Sequence, residues 1–154
     1  FGISGLNRYE KDALRLKDAE YVVFVLGTKA VLQYGTIAAP KSEKPTPEEM
    51  LNAVKGLSDK AHECGKKFIA MNVLHFGLAA DARPEKDAMV LQYNKLLDEN
   101  KDYFDMVYDQ ASHCIDKNKP NCSRREVLGP DKIHPNSEGG QIVADNFDLN
   151  IFKE

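Results

Sequence analysis

Tyr21-Val22-Val23-Phe24-Val25-Leu26, closed by Gly27-Thr28-Lys29-Ala30, is a continuous apolar run of β-branched and aromatic residues ending in a glycine bend. It is too short for a core helix, and no polar residue alternates within it. The run therefore reads as a β-strand covered on both faces, as strands of parallel sheets are. Upstream, Leu6, Tyr9, Ala13 and Leu16 recur at helical spacing, so residues 6–18 read as a helix. Downstream lies a polar stretch with Pro40, Pro45 and Pro47, the segment expected to be most mobile.

Thr46-Pro47-Glu48-Glu49 then has the chemistry of a helix start. Thr46 is the N-cap, Pro47 takes the first helical position, and Glu49 closes a capping box. Met50, Leu51, Val54, Leu57, Ala61 and Cys64 line one face, and Gly65 ends the helix. Lys67–Leu74 reads as a second strand. Pro84 opens a third helix, with Met89, Val90, Tyr93, Leu96 and Leu97 on one side, and Tyr103–Tyr108 reads as a third strand. After a loop over 110–130 and a turn at Asp131–His134, Ser137 is the expected cap of a last helix, with Ile142, Val143 and Phe147 inward. Strands alternating with helices imply an α/β fold, a three-layer αβα sandwich around a parallel sheet. The apolar stripes are core, and there are no internal repeats.

Length and composition suit one domain over residues 1–154. A chain of 154 residues removes roughly two-thirds of its unfolded surface from water. Hydrophobic content is 42% and charged content 29%, ordinary globular values. A net charge of −3 gives no electrostatic reason to expect nucleic acid or an anionic membrane surface as partner. No apolar run approaches the roughly 20 residues of a membrane span. The chain has no signal peptide and begins at Phe1 rather than methionine, which suggests processing or an incomplete N-terminus. Three cysteines leave an odd count. Cys114 and Cys122 flank a polar loop and could close a small ring, or all three could be reduced thiols. With the Asn121-Cys122-Ser123 sequon, the disulfide option leans towards a secreted or organelle-lumen location. No C-x-x-C is present, and no cofactor is called for.

Chemistry concentrates in Asp131-Lys132-Ile133-His134-Pro135-Asn136. Pro135 pushes His134 out of the α region, so the segment is a turn. In a turn the Asp131 carboxylate can hold one ring nitrogen and leave the other free to take a proton from a nucleophile. The plain alternative is a helix-capping turn with a histidine on its surface. A metal site is weaker, since no further His, Cys or acid cluster sits at ligand spacing. His75 ends the second strand and reads as a satisfied strand-end histidine. His62 and His113 read as solvated.

Asp131-Lys-Ile-His134-Pro135-Asn136-Ser-Glu-Gly139 resembles the last block of the SGNH (GDSL-type) hydrolases. Phe1-Gly2-Ile3-Ser4-Gly5 resembles their second block, and Tyr21 to Ala30 their third, in the family's order. The resemblance runs from residue 1 to about residue 147. It implies a flavodoxin-like sandwich, carboxylic ester substrates, His134 as general base with Asp131 orienting it, and Gly5 as an oxyanion-hole donor. Where the family has its oxyanion asparagine this chain has Lys29, followed by Ala30. A lysine could donate there, but on a flexible stem without an amide fork, and its charge would disfavour protonation of a nearby His134.

The family's nucleophile lies in a G-D-S block, and no G-D-S occurs in these residues. Relative to the family the chain is N-terminally incomplete and lacks its first strand. Val22, Val23 and Phe24 should then form an open apolar edge, which a missing N-terminal segment or a protein partner would cover along Tyr21–Leu26. Three functional expectations follow. The chain is the His-Asp part of an esterase whose serine lies elsewhere, or an inactive binding or structural subunit, or, least favoured, a catalyst acting alone through Ser4 or water.

Overall fold

The structure is a computed structural model that describes residues 4–153. Thus Phe1, Gly2 and Ile3, part of the presumed second block, lie outside the described residues. The elements run α1 (Gly5–Tyr9, continued by a π turn over Glu10–Leu14), β1 (Tyr21–Phe24), α2 (Thr28–Gln33), α3 (Pro47–Glu63), β2 (Lys67–Met71), α4 (Pro84–Glu99) and β3 (Met106–Tyr108). They continue with α5 (Gln110–Cys114), β4 (Ile115–Asp116), β5 (Lys119–Ser123) and α6 (Ser137–Asp145). The main sheet is parallel, in the order β1-β2-β3, with Val22 beside Phe68 and Ile69 beside Met106. The α/β sandwich expected from the alternation is present.

Local signals set the best-defined element. Thr46 Oγ1 accepts from Glu49 N, and Glu49 returns a bond to Thr46 N, with Pro47 at the first position of α3. Gly65, at φ 71°, ends α3 in a Schellman motif: its N–H reaches His62 O while Lys66 N–H reaches Ala61 O. The apolar face of α3 packs with α4 on one side of the sheet. There Val22, Phe68 and Ala70 meet Leu51, Val54, Leu57 and Val90 in the buried main core.

Residues of the other parity (Tyr21, Val23, Ile69, Met71, Tyr108) face the second layer. Tyr108 hydroxyl donates to Val143 O on α6, and Tyr21 hydroxyl to Ile151 O in the C-terminal turn. Phe147 and Phe152 stack between them. This layer is thin. It covers Tyr21 and Ile69 but leaves Val23 45% exposed, with Val25 and Leu26 beyond the strand similarly open. The expectation that β1 is covered on both faces is thus corrected: a six-residue apolar run looks alike whether its second face is buried or only half roofed. The expected edge position of β1 is observed.

Other boundaries moved for identifiable reasons. The second strand stops at Met71: Asn72 N–H still reaches Tyr108 O, but both backbone groups of Val73 are taken by the Asn94 side-chain amide, and the Asn72 side chain donates to Asp109 and accepts from Ala111 N–H. The third strand begins only at Met106, since Lys101–Tyr103 forms a 3-10 turn. The supposed 110–130 loop contains α5 and the β4–β5 hairpin, a pairing with no local propensity in Lys119-Pro-Asn-Cys-Ser123. Cys114 and Cys122 are both buried free thiols, not bridged to one another. Among the described residues no helix is long and apolar enough to cross a membrane.

Candidate active site

The Asp131–His134 turn is the tip of a closed loop. Leu128 and Pro135 bridge antiparallel, Gly129 N–H donates to His134 O at 2.8 Å, and Asn136 N–H donates to Val127 O at 3.0 Å. Lys132 adopts φ 61°, a left-handed conformation costing a non-glycine residue about 1 kcal/mol. It lets the chain reverse within the space of Gly129 and His134, and Lys132 N–H reaches Gly129 O at 3.1 Å.

Asp131 organises the tip with both carboxylate oxygens. Oδ1 accepts from Ile133 N at 3.0 Å and His134 N at 3.1 Å, while Oδ2 stands 2.6 Å from His134 Nδ1. These bonds, that from His134 first, hold the Asp131 carboxyl well below the usual carboxylate range. An ionised carboxylate only accepts, so Nδ1 carries the proton and Nε2 is left with its lone pair outward. No partner occupies Nε2 among the described residues. Both side chains are open to solvent.

The loop is anchored on two sides. Val127 and Leu128 pack with Leu74, which follows β2, and with Cys114, Ile142 and Val143. Ile133 leans on the main core. The turn therefore sits beyond the carboxyl end of the sheet, where sites form in open α/β folds. A groove of about 620 Å³ runs beside it, with Arg125, Leu128, Pro130, Lys132 and Asn136 among its lining residues.

The other candidates also gather at this end of the sheet. Gly5 opens α1 against the end of β1; a Cβ there would stand 2.7 Å from Leu26 Cδ1, so only glycine fits without a shift. At Gly27, with φ 140°, a Cβ would stand 2.9 Å from Val73 Cγ2, after β2. Gly27 starts α2, whose second residue, Lys29, is exposed. Ser4 is exposed and makes no hydrogen bond to His134.

The remaining histidines are partly corrected. His75 is buried beyond the end of β2, where its backbone carbonyl accepts from Ser123 N–H and Oγ; its ring has no hydrogen-bond partner among the described residues, so the expected satisfied imidazole is not seen. Burial pushes its imidazole down, against the pull of Asp109 and Asp87. His62 is not merely solvated: Nε2 stands 2.7 Å from Asp105 Oδ2, which also accepts from Phe68 N. His113 stacks on Tyr108, with ring centroids 5.9 Å apart. The last helix is capped by Asn136 rather than Ser137; Asn136 Oδ1 accepts from Gly139 N at 3.0 Å. Asn136 and Gly139 were the site-building residues missed. The one available signal was that Asn caps helices as well as Ser does. Among the described residues no three His, Cys, Asp or Glu side chains cluster as metal ligands.

Solved structures share this architecture. A protein from Bacteroides fragilis assigned as an acylhydrolase superposes with TM-score 0.73 at 17% identity, over 96% of this chain and 68% of its own. A mutant of an acetyl-xylooligosaccharide esterase from Geobacillus gives 0.69 at 16%, over 94% and 67%. A GDSL-like lipase from Bacteroides thetaiotaomicron gives 0.69 at 19%, over 96% and 69%. At these identities the likeness is one of fold, and the chain spans about two thirds of each neighbour. Among curated proteins none matches by sequence. Residues 1–147, nearly the whole chain, match the GDSL-like lipase/acylhydrolase family, to which this chain therefore belongs.

Proposed function

We propose that the chain is the histidine-bearing part of a serine-type carboxylic ester hydrolase whose nucleophilic serine is supplied by residues outside Phe1–Glu154. One observation carries this reading: an Nδ1-tethered imidazole, 2.6 Å from an ionised carboxylate, with Nε2 unpartnered, in a chain of an acylhydrolase family. His134 Nε2 takes the serine proton as Oγ attacks the ester carbonyl carbon. Asp131 stabilises the imidazolium so formed. The oxyanion is met by the Gly5 N–H and the Lys29 ammonium. The imidazolium then protonates the departing alkoxide, leaving an acyl-serine. Water, deprotonated by His134, attacks that acyl group, releasing the acid and restoring the serine.

A second reading has its own support. Lys29-Ala30 replaces the expected amide and acid, no G-D-S is present, and the β1 edge is open at Val23. These favour an inactive fold serving as a binding or structural subunit, with a protein partner along Tyr21–Leu26. Hydrolysis of p-nitrophenyl acetate by the protein with its native flanking sequence separates the two. The esterase reading expects turnover that His134→Ala abolishes. Turnover that persists in that variant, or none in a protein whose flanks contain G-D-S, sinks it.

A further inference from the structure

One side chain holds both ends of the loop that presents His134. Asn136 Oδ1 accepts from Gly139 N at 3.0 Å, capping α6. Its Nδ2 donates to Glu126 O at 2.6 Å and, more weakly, to Leu128 O at 3.4 Å. Its backbone N–H donates to Val127 O at 3.0 Å. The loop leaves at Val127 and returns at Asn136, so these bonds close its neck, while Asp131 closes its tip.

The helix meets the same neck. A Cβ on Gly139 would stand 2.2 Å from Val127 O and 3.0 Å from Pro135 Cβ, so α6 can approach only because residue 139 is glycine. Helix, outgoing chain and returning chain thus converge on the Asn136 amide. Both the acceptor and the donors of that amide are engaged. A helix cap needs the oxygen alone. The Nδ2 bonds add nothing to capping; they fix where the loop stands.

We infer that Asn136 is a positioning residue, whose Nδ2 clamp on Glu126 and Leu128 holds the His134 imidazole in its Nδ1–H tautomer and in place at the carboxyl end of the sheet. The functional consequence rests on His134 being the general base proposed above; the structural one does not. Nothing in the clamp touches a substrate. Its effect passes through the ladder Asn136–Val127, Leu128–Pro135 and Gly129–His134.

Asn136→Asp tests it, because aspartate caps helices as well as asparagine but cannot donate. Nitrogen-15 NMR is recorded above the imidazole titration, so that the ring is neutral. In the wild type the two His134 ring nitrogens should be well separated, as a fixed tautomer requires. In Asn136→Asp they should move towards averaging. Amide protection at Gly129 and His134 should fall about tenfold, while that of Gly140 within α6 stays. Asn136→Ala should lose the α6 protection as well. Wild-type ring shifts and loop protection in Asn136→Asp would overturn the proposal and leave Asn136 a cap only. Should the variants unfold, the wild type still decides: the Asn136 side-chain amide protons should exchange as slowly as the Gly129 amide, and exchange at the free rate would overturn it. Ester turnover that ignores His134 while the tautomer collapses in Asn136→Asp would refute the esterase reading and leave the clamp standing.

Discussion

Two imidazole–carboxylate pairs lie at opposite ends of the sheet, His134–Asp131 at 2.6 Å and His62–Asp105 at 2.7 Å. Distance alone does not tell them apart; their settings do. The first is local, three residues apart in a tight turn, and its carboxylate spends the other oxygen on the turn's own N–H groups. Its Nε2 faces outward, free. The second joins residues 43 apart, ties the last turn of α3 to the segment before β3, and shares its oxygen with Phe68 N–H at the start of β2. Nε2 is the very nitrogen it consumes. The His62 contact fastens two distant elements together, whereas the His134 contact is made within a single turn; each ring keeps one nitrogen without a partner among the described residues.

The comparison breaks most visibly in turnover. With its native flanks, the protein should lose about 10⁴-fold in p-nitrophenyl acetate kcat on His134→Ala or Asp131→Asn. His62→Ala should leave kcat unchanged. An equal loss from His62→Ala would mean that the two pairs are not functionally distinct.

Next comes the scaffold under each pair. Gly139→Ala forces a methyl group into the Val127 carbonyl and should cost about 3 kcal/mol in guanidinium unfolding. Gly140→Ala, with nothing within 4 Å, should stabilise α6 by up to about 1 kcal/mol. Asp105→Ala leaves the Phe68 N–H without its acceptor and should cost about 1–2 kcal/mol in the same assay.

Acid sharpens the contrast further. Burial raises the Asp105 pKa, but the bonds from His62 and Phe68 N–H more than offset this and leave it below the usual value. Asp131 is also depressed, chiefly by His134. For carboxyls lowered on folding, the stabilisation is complete above the unfolded pKa of about 3.9 and is lost as pH falls through the folded value. Thermal midpoints measured from neutral pH downward should therefore drop below about pH 4, and less steeply in Asp105→Asn and Asp131→Asn than in the wild type. Smallest of all, Lys132→Gly removes the left-handed strain while adding chain entropy, so stability should change by less than about 1 kcal/mol.

Legibility followed the range of the interaction. The capping box at Thr46 and the Gly65 stop are contained in a few consecutive residues, and both stand where the sequence placed them. The Asp131–His134 contact was legible for the same reason: Pro135 forbids a helix, and a turn brings positions three apart together. The His62–Asp105 pair and the β4–β5 hairpin had no such signal, because their partners meet only after the sheet has formed. Asn136 shows the limit within one residue. Its capping oxygen follows from asparagine before a helix, but its clamp on Glu126 depends on where the loop returns.

By itself the sequence determined the α/β alternation, the main helix boundaries and the tethered imidazole, since backbone sterics, apolar periodicity and short-range hydrogen bonds act before any distant contact exists. Tertiary structure alone decided that the second face of β1 is only half roofed, that the neck of the loop is closed by one amide, and that His62 is tied to Asp105. Each of these depends on groups far apart in the chain being brought within hydrogen-bonding or van der Waals range, which only the packed sheet accomplishes.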